Sequence, residues 1–159
     1  MPLVNRKRPK LGDVIEIKTP KGFAYAQYTY KHDAPPKYGA LLRIFHGFYN
    51  ERPNDFANIV NMQPQIITFF PLGAACNRGI VQVVANEEIP EGAKSLPTFR
   101  AGVPNKDGKI ETWWLWDGEN EWKIGKLAAG MEKYPIRGIW SYTVLIQRIV
   151  DGWCHEKVT

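Results

Sequence analysis

The sequence predicts an α+β fold, mostly β: a curved or barrel-like antiparallel sheet with a C-terminal helix and room for one further short helix. Three observations carry that expectation. Short apolar stretches with period-two alternation recur between Gly/Pro/Asn/Asp turn signals. Helical periodicity is convincing only near the C-terminus. At 159 residues the chain is one ordinary domain, long enough to bury about two thirds of its unfolded surface. The expected division is a flexible basic arm over residues 1–10 and a single globular domain over 11–159.

The elements follow in order. "GDVIEIK" alternates Val14, Glu16 and Lys18 against Ile15 and Ile17, as a strand does. "TPKG" is a turn, because Pro20 fixes its own φ and Gly22 tolerates positive φ. "FAYAQYTYKH" returns as the second strand of a hairpin. It places Phe23, Tyr25, Gln27 and Thr29 on one face, and Ala24, Ala26, Tyr28 and Tyr30 on the other. "DAPPKYG" is a loop, and "ALLRIFHGFYN", residues 40–50, is a third strand that includes His46. Asp55 is placed to cap a short helix through "FANIVNM", which Pro64 must end.

"QIITFFPL" and "GIVQVVANEEI" are two more strands, separated by a connection "GAACNRG". "PEGAKSLP" is loop, and "TFRAGVPNKDGKIETWWLWDG" is a strand pair around "PNKDG". "DGEN" then turns the chain again, with Trp122 and Ile124 on the return strand. The final helix starts from Ser141 as cap, aligns Leu145, Ile149 and Trp153 in one stripe with Val144, Ile146 and Val150 beside it, and stops at Gly152.

Charge and composition restrict the function classes. Arg6, Lys7, Arg8 and Lys10 precede the first acid, Asp13; without them 17 bases face 16 acids, so the net charge of +5 belongs largely to the arm. Such an arm can touch phosphates, but the body is not basic and has no recognition motif, so nucleic acid is not the favoured partner. The longest apolar runs fall well short of the ~20 residues that span a bilayer, so no membrane role is expected. The N-terminus has no apolar stretch after its basic residues and does not read as a secretory signal. The expected location is therefore the cytoplasm, with Cys76 and Cys154 as reduced thiols; they form no CxxC or zinc-ligand pattern.

"ETWWLWDGENEWKIG" holds four of the six tryptophans. Trp113, Trp114, Trp116 and Trp122 are the candidate partner-binding residues, since Trp carries a large share of interface energy. Alternation puts Trp114 and Trp116 on one face and Trp113 with Leu115 on the other. Two indoles bury more apolar area than one indole and a leucine, so Trp114 and Trp116 are expected inside.

The catalytic candidates are thinner. His32, Asp33 and His46 can assemble only if their strands bring them together, and no HxH, HExxH or serine elbow is present. Cys76 in "LGAACNRG" has Arg78 nearby but no base. Glu87–Glu88 and the series Asp117, Glu119, Glu121 sit in turns or strand ends and read as solvated rims. No metal, cofactor or catalytic set is expected.

The stretch "LGDVIEIKTPKGFAYAQYTY" resembles the opening of the immunity protein 26 family: a "GDV" strand, a short P-x-G turn and an aromatic strand. "WWLWDGENEWKIGKL" is similar to that family's region of W, DG and a hydrophobic strand, and "IWSYTVLIQRIVDGW" to its closing segment. The resemblance runs over residues 11–153. It implies a small soluble bacterial protein that binds and neutralises a cognate toxin of a polymorphic-toxin system. Some members carry a phosphotriesterase label, so the alternative it implies is a small hydrolase acting on phosphoester-like substrates. It assigns no catalytic residue here, because no family metal or nucleophile motif matches residue by residue.

Overall fold

The computed structural model describes residues 8–159. Most of the expected arm, residues 1–7, lies outside that range. At the end of that arm the Lys10 backbone N–H donates to Asp13 Oδ2 at 2.9 Å.

β1 (Asp13–Thr19) and β2 (Gly22–His32) make the expected antiparallel hairpin. Thr19 Oγ1 donates to the Gly22 carbonyl and accepts from the Lys21 N–H, closing the turn. Gly22 is required there: its φ is +125° and a Cβ would fall 2.8 Å from the Tyr49 carbonyl oxygen. β3 (Gly39–Phe45), β4 (Pro64–Phe69) and β5 (Gln82–Asn86) complete a sheet of order β4-β3-β2-β1-β5, antiparallel throughout. β6 (Phe99–Ala101), β7 (Trp113–Trp116) and β8 (Glu121–Gly125) form a second antiparallel sheet in sequence order. The fold is α+β and mostly strand. It consists of two open sheets, not a closed barrel.

The helices are α1 (Ala57–Val60), α2 (Leu72–Asn77) and α3 (Tyr142–Val150). Asp55 Oδ1 accepts from the Ala57 N–H at 3.0 Å, but Phe56 takes the cap position with no side-chain bond, so Asp55 stands one residue before the cap it was expected to be, and the helix is a single turn. α2 replaces the expected connection at "GAACNRG". Its buried residues Leu72, Ala75 and Cys76 stand at i, i+3 and i+4, a pattern too short to stand out from sequence. β3 ends at Phe45, so His46 leaves the strand it was assigned to. α3 is as expected: Ser141 Oγ accepts from Val144, and Leu145 and Ile149 are buried.

One face of the five-stranded sheet carries Ile15, Ile17, Ala24, Ala26, Leu42 and Ile44, packed against α2, α3 and Trp140. The other face carries two separate clusters. Val14, Tyr25, Phe45 and Val84 meet α1, while Leu41 and Phe69 meet Phe99 and Trp116 of the second sheet. A bulge in β2 between Tyr28 and Tyr30 moves Tyr30 onto this second face beside Leu41, against simple alternation. The extended segment 136–140 joins the two sheets, with Ile136 bridging Arg100 of β6 and Ile139 bridging Phe69 of β4. Among the described residues no helix is long and apolar enough to cross a membrane.

Candidate protein-binding surface on the tryptophan hairpin

The hairpin turn is built by its first two residues. Asp117 Oδ1 accepts from the backbone N–H groups of Glu119 and Asn120, at 2.9 and 2.8 Å. Those two donors hold its carboxyl below the usual carboxylate range. Gly118 follows with φ +103°. β8 pairs with β7 through a bulge that skips Ile124: Trp113 faces Gly125 and Trp114 faces Lys123.

The four tryptophans divide, but not as expected. Trp113 and Trp116 are buried, whereas Trp114 is 37% and Trp122 40% exposed. The expectation that Trp114 and Trp116 share one environment is wrong, although they do share a side of the strand. The reason lies across the sheet. Trp116 stands opposite Phe99, and further rings from Phe69, Tyr38 and His32 close over it. Trp114 stands opposite Ala101, whose methyl group covers little of an indole. On the other side Trp113 lies under Arg100, whose guanidinium is 4.6 Å from the ring centroid.

Arg100 itself is fully buried. Its N–H groups donate to the backbone carbonyls of Glu132, Tyr134, His155 and Val158. One residue thus anchors both Trp113 and the C-terminal segment. Sequence reasoning passed over it, since a lone arginine between Phe99 and Ala101 carries no signal of burial.

Trp114 borders a groove of about 530 Å³, with Val103, Ile110 and Ile136 as apolar walls. Glu121 and Arg137 stand at its edge, joined at 2.6 Å. Val103 is 85% exposed, so the apolar surface continues past the groove. Trp122, opposite Leu115, projects from β8, the outer strand of the sheet, whose residues are all at least partly exposed. From 111 to 121 the chain holds Glu111, Asp117, Glu119 and Glu121 and no basic residue. One face of the small sheet therefore combines the exposed Trp114 with an aliphatic groove, Trp122 is exposed on the opposite face, and the turn between them is an acidic tip.

The other candidates fall apart or are buried. His32 pairs with Gly39 at one end of the β2–β3 ladder, while His46 lies past the far end, beyond the Ala26–Ile44 pair. At about 3.3 Å per residue the two imidazoles cannot share a metal ion. Among the described residues no group of three or more His, Cys, Asp or Glu is placed to hold one. His32 is buried among Tyr38, Phe69 and Trp116, and His46 and Asp33 are exposed. Cys76 is buried, and burial followed by the charge of Asp13 pushes its thiol up to about 11, so it is no thiolate nucleophile at neutral pH. Glu88, Asp117, Glu119 and Glu121 are exposed and Glu87 is half-buried.

No family model matches the chain, and neither a curated protein nor a solved structure matches it.

Proposed function

We propose that this protein is a protein-binding module that recognises its partner through the tryptophan hairpin, and that it serves as an immunity protein neutralising a cognate toxin. The observation that carries the first part is the 37% exposure of Trp114 beside an aliphatic groove, with Trp122 exposed at 40% on the opposite face of the same hairpin. Exposed indoles next to a concave apolar surface are the usual chemistry of interface hot spots. The acidic tip adds a preference for a partner with a basic rim. The second part rests on the resemblance to the immunity protein 26 family. The hydrolase alternative gains no support from His32, Asp33 and His46, which stand apart, or from the buried Cys76.

The test is a search of the adjacent genes for a toxin, then toxicity rescue against it and a direct affinity measurement. Trp114→Ala/Trp122→Ala should keep the folded spectrum and weaken binding by about thirtyfold or more, equivalent to ~2 kcal/mol. Trp113→Ala and Trp116→Ala should instead cost stability, roughly 3–5 kcal/mol each. Undiminished binding by the double variant would place the partner surface elsewhere.

A further inference from the structure

The second face of the large sheet has a polar seam between its two apolar clusters. Gln27 and Arg43 are direct cross-strand partners, and Thr29 is the residue that the β2 bulge leaves between two paired positions. Bulges re-aim side chains, and this one lies beside a cavity of about 230 Å³ lined by Thr29, Arg43, Gln63, Ile67 and Ser95 among others. None of the lining residues is acidic.

Thr29 is 2% exposed, and its Oγ1 has no hydrogen-bond partner. Arg43 Nη1 is buried and equally unpartnered, and so is the Gln27 Oε1 across the ladder. The guanidinium lies over the Phe45 ring, 5.8 Å from its centroid, a weak cation–π contact that supplies no oxygen acceptor. Buried polar groups are normally satisfied; Arg43 is half-buried as a residue, and its enclosed Nη1 and the Thr29 hydroxyl are exceptions. By contrast, the buried Glu16 on the same sheet is held by Arg52 at 2.7 and 2.9 Å and by the Tyr25 hydroxyl at 2.9 Å. Among the described residues no such charge pairing is made by Arg43.

We infer that the cavity between Thr29 and Arg43 is a binding site for a small oxyanion, either a phosphate or the carboxylate of a small molecule. Arg43 offers a planar fork of N–H donors that matches two anion oxygens, and the Thr29 hydroxyl donates a further bond. The Gln63 amide and the Ser95 hydroxyl are the remaining polar side chains on the wall. The volume of about 230 Å³ is below the ~300 Å³ at which pockets for drug-sized ligands begin, so the ligand is small.

Calorimetry and amide-resolved NMR on the full chain test this, with inorganic phosphate and acetate as probes and chloride at matched ionic strength as control. The expected result is saturable binding with shifts centred on the Thr29, Arg43 and Ser95 amides. A tighter response to phosphate assigns a phosphate ligand, and a tighter response to acetate assigns a carboxylate. Thr29→Val should weaken the response about tenfold through one lost bond to a charged group, and Arg43→Gln should abolish it. The assignment is overturned by shifts that chloride reproduces, by the absence of saturation with both probes, or by binding that survives in a folded Arg43→Gln protein. Should Arg43→Gln not fold, unchanged binding by Thr29→Val overturns it equally.

Discussion

His155 is the residue with the sharpest pH consequence. It is buried, with Nε2 3.1 Å from the Ile67 N–H and Nδ1 3.0 Å from the Ile136 N–H. The neutral ring offers one acceptor nitrogen to these donors, and the cation offers none. Burial first, and the nearby charge of Arg100 second, bring its pKa down from 6.5 to about 4. The unfolded chain therefore binds the proton first as pH falls. The stability from the neutral form is complete above pH 6.5, declines between 6.5 and 4, and levels off below. The full loss is about 3 kcal/mol, from ~1.4 kcal/mol per pKa unit. Urea unfolding at pH 7, 5.5 and 4 should show this slope, and His155→Gln should flatten it. A His155→Gln protein with the wild-type slope would assign the effect to other groups. Glu16 acts in a separate, more acidic window. Burial raises its pKa, but Arg52 and Tyr25 outweigh that and lower it below 4.5, so its contribution is lost only as pH falls through that lower value.

At the scale of elements, the tryptophan hairpin depends on its turn. Gly118 has φ +103°, and an added Cβ would lie 2.6 Å from Leu96 Cδ2. Gly118→Ala thus combines backbone strain at positive φ with a clash that the half-buried Leu96 side chain must shift to relieve. The expected cost is roughly 1–3 kcal/mol, read as a lowered melting temperature. Partner binding by the surviving folded fraction should also fall, because the turn sets the positions of Trp114 and Trp122. An unchanged melting temperature would show that the turn relaxes without cost. This element was legible in sequence, since Asp-Gly between apolar runs states the turn chemistry directly. Which tryptophan it buries was not legible. Alternation fixes the side of a strand, and the size of the cross-strand neighbour, Phe99 or Ala101, decides the cover.

Across the whole molecule, the small sheet is tied to the C-terminal segment chiefly through Arg100. Its guanidinium reaches carbonyls at 132, 134, 155 and 158 and covers Trp113. Arg100→Ala leaves those carbonyls without their charged donor and should cost roughly 3–5 kcal/mol. Hydrogen exchange should then show β6–β8 and residues 132–158 losing protection together, with β1–β4 retained longer. Uniform loss over both sheets would mean that the molecule unfolds as one unit.

The sequence by itself determined the α+β, mostly β character, the β1–β2 hairpin, the DGEN turn and the Ser141-capped helix. Each of these depends on contacts within a few residues: period-two alternation, a Gly or Pro at a turn, a hydroxyl three residues before the N–H it caps. Only the tertiary structure decided the division into two open sheets, the one-turn α1, and α2 in place of a connection. It also decided the separation of His32 from His46, the burial of Arg100 and His155, and the polar seam at Thr29 and Arg43. These features depend on partners far apart in the chain, as Arg100 with Val158 or Ile67 with His155. A bulge or a small cross-strand neighbour changes them without leaving a local pattern to read.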